Sequence, residues 1–289
     1  MNQIILRMAS RRLAMKTEVC LLLPSVRADR TPENEYAFTG PFRVLWLLHG
    51  ATCDYQDFLY HDRVLPMLEQ RHVMVVMPNG LNADYANHME FANGYAYTDF
   101  FFEELMPYIY ANFPASRSPK ENFLAGYSMG GAGALMYGLY RPELFGQVAV
   151  LSASMRESDF LKPYLLLTGE AFRRLAMQDP RRFPTEYGDP AQGITRKEIN
   201  MIARYDTVQD YVNSMECTGE RFRDAVENGM LPRLLFCCGE LDGCCEKVRQ
   251  IQDYVRENKL QNVAFEIIPG YGHDRGDVAI RRAIERMEL

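Results

Sequence analysis

Gly126-Tyr127-Ser128-Met129-Gly130 is a G-x-S-x-G motif, and its setting gives it chemical meaning. An apolar run at 122–125 precedes it, and the small-residue run Gly131-Ala132-Gly133-Ala134-Leu135 follows it. That is the pattern of a strand, a sharp turn and a helix. On such a turn a serine Oγ stands clear of the sheet, and glycines admit the close approach of backbone that the turn requires. The N-terminus of the following helix favours developing negative charge. These are the requirements of a nucleophile in acyl transfer. The competing reading, a Gly-rich turn with an incidental serine, fits the flanks less well.

A serine hydroxyl needs a base. Of the five histidines, only His273 lies beyond Ser128, as the order nucleophile, acid, histidine demands. It sits in Pro269-Gly270-Tyr271-Gly272-His273, a loop able to bring an imidazole back to the serine. The base needs a carboxylate to hold its tautomer. The run 234–238 ends in Gly239-Glu240-Leu241-Asp242-Gly243, which offers Asp242 as first choice and Glu240 as competitor. Asp274 adjoins His273 and reads as structural. For the oxyanion, the N–H of Met129 is one expected donor. The other is expected from His49-Gly50-Ala51-Thr52, with Ala51 ahead of Thr52 and His49 as a structural hydrogen-bonding residue.

The elements that must position these groups can be read from hydrophobic pattern. Strands are expected at 2–6, 16–23, 44–49, 73–78, 122–126, 147–151, 234–238 and 263–268. Helices are expected at 98–111, 130–140, 245–257 and 277–287. Strands that are apolar throughout, alternating with helices, indicate a mainly parallel sheet covered on both faces. The fold class is therefore α/β, an α/β-hydrolase fold, with 1–289 as a single domain. The stretch 155–231 interrupts the alternation with amphipathic pieces at 160–167, 169–176, 197–204 and 208–213. It is read as a helical cap or lid inserted over the carboxyl edge of the sheet, where ligands bind in such folds.

The remaining composition excludes more than it assigns. A chain of 289 residues with a formal charge of −6 has nothing to neutralise phosphates, so no nucleic-acid partner is expected. The apolar runs are strand-sized, far short of a membrane span, and no export signal is evident, so a cytoplasmic protein is expected. Seven cysteines, an odd number, read as free thiols in a reducing compartment. The pairs Cys237-Cys238 and Cys244-Cys245 invite a metal reading. Zinc ligands, however, are usually roughly two to four residues apart, and neighbours on a strand face opposite ways. No metal and no cofactor are expected.

The chain resembles the tributyrin-esterase and S-formylglutathione-hydrolase branch of the α/β hydrolases, the esterase D type. The resemblance runs through Leu23-Pro24, Leu47-Leu48-His49-Gly50, Met77-Pro78 and Glu103-Glu104-Leu105. It continues through Gly126-Tyr127-Ser128-Met129-Gly130-Gly131 to Gly272-His273-Asp274. It implies a serine carboxylesterase acting on small acyl esters of acetyl or butyryl type, without cofactor, often as a dimer or larger oligomer. Thr52-Cys53 is similar to S-formylglutathione hydrolases, where a cysteine lies near the site, so thioester hydrolysis is the alternative, with feruloyl or acetyl carbohydrate esters beside it. Two departures stand out. Arg275 replaces the tryptophan that often follows His-Asp in the esterases, and 155–231 is longer than in compact members. A non-catalytic binding protein on the same scaffold is the remaining reading, disfavoured because all three triad positions are filled.

Overall fold

Strands that are buried along their whole length belong in the middle of a sheet. Four of the expected runs behave this way: Val73–Pro78, Asn122–Tyr127, Gln147–Leu151 and Leu234–Gly239. The structure, a computed structural model, describes residues 1–24, 40–60, 64–88, 95–159, 204–205, 207–273 and 277–289. In chain order the elements are β1 (Asn2–Ser10), β2 (Met15–Leu23), β3 (Arg43–Leu48), α1 (Val64–Gln70), β4 (Val73–Pro78) and the two-residue strands β5 (Asn87–His88) and β6 (Tyr95–Ala96). There follow α2 (97–112), β7 (Asn122–Tyr127), α3 (Met129–Tyr140), β8 (Gln147–Leu151), α4 (Val208–Asn213) and α5 (Thr218–Glu227). The chain closes with β9 (Leu234–Gly239), α6 (Cys245–Glu257), β10 (Val263–Ile268) and α7 (Asp277–Arg286).

The described residues form an eight-stranded sheet in the order β1-β2-β4-β3-β7-β8-β9-β10, with β5 and β6 paired apart from it. β1, β2 and β4 are antiparallel neighbours, and every later pairing is parallel. The register sets Leu48 opposite Gly126, Tyr127 opposite Leu151, Leu151 opposite Cys237, and Gly239 opposite Ile268. The carboxyl ends of five strands therefore finish along one edge, where loops from distant parts of the sequence meet.

Alternation along each strand divides the core into two layers. Leu45, Leu47, Val73, Val75, Phe123 and Ala125 share a cluster with Val64 and Leu68 of α1 and Ile280, Ala283 and Ile284 of α7. Trp46 turns the other way, edge-on to Phe101 at 5.3 Å and to Tyr110 at 5.9 Å. α3 packs on β7 and β8, and Gly138 is needed there because a Cβ would stand 2.7 Å from Val148. α2 departs from the single α-helix expected at 98–111. Its middle, Phe100–Leu105, is a π-helical turn in which the Met106 N–H reaches Phe101 O. Within that wider turn Phe100, Phe101 and Leu105 stay buried while Glu104 accepts from the N–H groups of Arg11 and Arg12 at 3.0 and 3.3 Å, tying α2 to the β1–β2 turn.

The contacts of the chain divide into two units, Met1–Met155 with Asn228–Leu289, and Arg156–Glu227. Within the second, α4 opens on a capping box in which Thr207 and Asp210 satisfy each other's backbone N–H groups. Buried Glu216 accepts from Arg156 at 3.1 Å, from Arg204 Nε at 2.8 Å and from the Tyr205 hydroxyl at 2.7 Å. α5 was not foreseen from periodicity. The pieces expected at 160–167, 169–176 and, apart from Arg204, 197–204 lie outside the described residues.

One buried polar residue joins the start of β7 to two neighbours. Asn122, fully inaccessible, accepts from Trp46 Nε1 at 3.0 Å and from the Tyr110 hydroxyl at 2.7 Å. Its amide donates to Ser116 O at 2.8 Å and Ser118 O at 2.9 Å. All four capacities are used, so truncation orphans four partners at once. Asn122→Ala is expected to lower stability by about 2–4 kcal/mol, read as a shifted urea midpoint with unchanged slope. A midpoint within error of the parent would mean these bonds contribute nothing net.

Candidate active site

At the end of β7 the chain reverses into α3 within one residue. Ser128 makes the turn with φ 54° and ψ −112°, outside the regions open to ordinary L-residues. The reversal needs backbone packed against backbone. A Cβ at Gly126 would lie 2.0 Å from Gly130 O, and one at Gly130 would lie 2.1 Å from Leu48 O. Both motif glycines are thus required by contact with their neighbours. The Ser128 N–H donates to Leu151 O at 2.8 Å, fastening the turn to β8. Its side chain, half-buried, stands at the N-terminus of α3.

Two further loops along the same edge deliver the partners. His273 Nε2 lies 3.0 Å from Ser128 Oγ, and its Nδ1 lies 2.9 Å from Asp242 Oδ2. The Asp242 side chain is 2% exposed and that of His273 50%, so a buried anion backs an imidazole that solvent can reach. Because the carboxylate can only accept, Nδ1 carries the proton and Nε2 is left to accept from the serine. Glu240, the competing acid, is engaged elsewhere: it accepts from the Gly270 N–H at 3.2 Å and lies 3.8 Å from Arg249. The Leu241 N–H donates to Tyr271 O at 2.7 Å, so the loops carrying Asp242 and His273 are laced to each other. Tyr127 packs against the imidazole, ring centroids 5.3 Å apart.

The loop after β3 completes this edge. A Cβ on Gly50 would come 3.1 Å from the Tyr127 ring and 3.5 Å from Ser128 Cβ, so this backbone runs alongside the nucleophile position. His49, 1% exposed, bonds through both ring nitrogens, Nδ1 to Gly50 O at 2.8 Å and Nε2 from the Gly80 N–H at 2.8 Å. A carbonyl can only accept and an N–H can only donate, which fixes the neutral Nδ1–H tautomer. Burial, outweighing the groups that favour protonation, lowers its pKa further. Thr52, held at φ 61°, gives its N–H to Asn82 Oδ1 at 2.7 Å. The Thr52 N–H, the second choice of donor in this loop, is therefore already engaged. Neither Asn82 nor the Tyr85 hydroxyl, which donates to His49 O at 3.2 Å, was foreseen, since no motif marks them.

Residues 10–212 match the Esterase family. The chain belongs to that family. It is an ester hydrolase of the α/β-hydrolase fold. The esterase is 24% identical over 282 residues to an acetyl esterase of Caldicellulosiruptor saccharolyticus, covering 96% of this chain and 95% of the relative. Among solved structures it is similar to the fluorophosphonate-binding serine hydrolase FphF of Staphylococcus aureus, with a TM-score of 0.72, 23% identity and coverage of 98% and 97%. It is similar also to the S-formylglutathione hydrolase FrmB of the same organism, with a TM-score of 0.70, 24% identity and the same coverage.

The other residues singled out from sequence fall in varied places in the esterase. Cys53 is partly exposed, while Asp274 and Arg275 lie outside the described residues. Cys237 and Cys238 diverge, the former to Ala279 O at 3.6 Å, the latter to Cys244 and Cys245. Among the described residues no group of three or more histidine, cysteine or carboxylate side chains is placed to hold a metal ion. Among them, too, no helix is long and apolar enough to cross a membrane.

The electrostatics of Asp242 carry a stability consequence. Burial by itself would raise its carboxyl, but the Cys244 N–H and thiol and the His273 ring outweigh burial and hold it below the ordinary value. A carboxyl depressed by folding stabilises the native state above its unfolded value, about 3.9, and loses that contribution as pH falls through the folded value. The stability difference between the esterase and Asp242→Asn should therefore narrow as pH drops from about 6 to about 3 in urea titrations. A constant difference across that range would contradict a depressed carboxyl.

Proposed function

We propose that the protein hydrolyses short-chain acyl esters, of acetyl to butyryl type, through Ser128, His273 and Asp242. The observation that carries this reading is the unbroken row Asp242–His273–Ser128, with contacts of 2.9 and 3.0 Å, ending on a serine in a left-handed turn. Ser128 Oγ attacks the ester carbonyl while its proton passes to His273 Nε2. Asp242 holds the ring by Nδ1–H and stabilises the imidazolium. The N–H groups of Met129 and Ala51 receive the oxyanion of the tetrahedral intermediate. Collapse breaks the bond to the alcohol, which leaves with the proton from Nε2, and the acyl group remains on Ser128. Water then enters by the same steps in reverse, with His273 as base, and the acid departs.

A small acyl group is supported by the acetyl-esterase relative, which spans nearly the whole chain. The likeness to an S-formylglutathione hydrolase, together with Thr52-Cys53, keeps a thioester substrate as the second reading. One panel separates them. The wild type and Ser128→Ala are assayed with 4-nitrophenyl acetate, butyrate and octanoate, ethyl ferulate and S-formylglutathione. Expected are rapid acetate and butyrate turnover, a steep fall at octanoate, and a loss on the order of 10⁵-fold in the alanine variant. Undiminished hydrolysis by Ser128→Ala would remove the mechanism. Preference for the thioester over every oxygen ester would move the substrate class and leave the mechanism standing.

A further inference from the structure

The two hydrogen bonds on His273 leave one motion of its ring unopposed. Nδ1 meets Asp242 and Nε2 meets Ser128, and ring nitrogens bond in the plane of the imidazole. A ring held at two points in its own plane can still rock about the line that joins them. Because the two nitrogen directions are not collinear, rocking tilts both off their partners. Only contact with a face of the ring stops it. The His273 side chain is 50% exposed, so that support must come from its buried side.

Tyr127 supplies this contact. Its ring centroid lies 5.3 Å from that of the imidazole, and the two planes are inclined at 37°, nearer to stacked than to edge-on. The tyrosine is fixed in turn. Phe123, Ala125 and Tyr127 alternate onto one face of β7 and join the core cluster shared with α1 and α7. Tyr127 is the last of that row and 5% exposed. The Gly50 backbone closes in as well, since a Cβ there would stand 3.1 Å from Tyr127 Cδ1 and 3.5 Å from Cε1. A ring confined in this way cannot swing aside. Its face also attracts a cation within about 6 Å of the centroid, and the imidazole becomes a cation when it takes the serine proton.

We propose that Tyr127 is a positioning residue for the catalytic base, its aromatic face holding the His273 imidazole in line with Ser128 and favouring the imidazolium formed at each proton transfer. This rests on the triad reading. The residue that precedes the nucleophile thereby seats the base as well, so one strand end sets the distance between the two. An aliphatic side chain of similar bulk fills the core but offers neither a flat surface nor a π face. Acylation and deacylation both pass through the imidazolium, so both slow together and KM stays level. A side chain that merely lined the substrate pocket would change KM instead.

The test compares Tyr127→Leu with Tyr127→Phe on 4-nitrophenyl acetate, beside His273→Ala, with urea midpoints for all. The leucine variant should lose about three- to twentyfold in kcat with KM unchanged. Its Ser128 should react with a fluorophosphonate more slowly by the same factor. The phenylalanine variant keeps the ring and should stay within about twofold of the parent. Wild-type kcat in Tyr127→Leu overturns the inference, as does an equal fall in Tyr127→Phe or a loss carried by KM. Tyr127→Met supplies the same ring-free comparison should the leucine variant not fold. Full activity in His273→Ala would instead overturn the triad reading beneath it, so the two failures are distinguishable.

Discussion

The turn at Ser128 exists only because three stretches of backbone nearly touch. Gly126 of β7, Gly130 of α3 and the Leu48 carbonyl of β3 approach so closely that a methyl group at either glycine would overlap main chain. Main chain cannot step aside as a side chain can. The angle of α3, the β3–β7 register and the position of the serine are therefore one constraint. An unfavourable backbone conformation at a single residue costs on the order of 1–3 kcal/mol and persists only where its surroundings over-determine it. Here the surroundings are the centre of the sheet, with β7 and β8 buried throughout.

Two histidines that lie close to this turn in space have been given opposite environments. His49 is enclosed, neutral and bound on both sides by backbone, so it has no proton to exchange without breaking the loop it braces. His273 faces solvent on one side and is bound by groups whose bonding can change, a hydroxyl and a carboxylate. The same imidazole ring is a strut in one place and a proton carrier in the other. What separates them is the identity of the partner atoms and the access of water.

Much of this layout was legible in residue order, for reasons that differ from part to part. The elbow was readable because its requirements are local: an apolar run, two glycines at fixed spacing and small residues after them. His273 was readable by elimination, as the one histidine beyond the serine. Asp242 was the first choice but Glu240 stayed a competitor, because both sit in one loop after β9 and pattern does not say which side chain turns inward. In the folded chain Glu240 is engaged at Gly270 and Asp242 lies against the imidazole. Asn82 and Asn122 stayed hidden because a fully satisfied amide leaves no periodic trace. The π turn in α2 was hidden likewise, since widening a helix by one residue hardly disturbs its apolar spacing. β1 ran longer than expected because an edge strand, largely exposed, loses the hydrophobic run that marks the inner ones.

The second unit, Arg156–Glu227, interrupts the sheet between β8 and β9. Its place in the chain divides the proposed catalytic set by time as well as by sequence. During synthesis the serine and its elbow emerge with the first five strands of the large sheet to be made, of which β4, β3 and β7 are in parallel register. The carboxylate and imidazole arrive only after a separate compact body has been threaded out. Until β9 and β10 dock on the exposed flank of β8, the nascent esterase holds a strained hydroxyl with nothing to deprotonate it. On the proposed triad, the chain can hydrolyse nothing until it has been made past His273, an order that follows from topology alone.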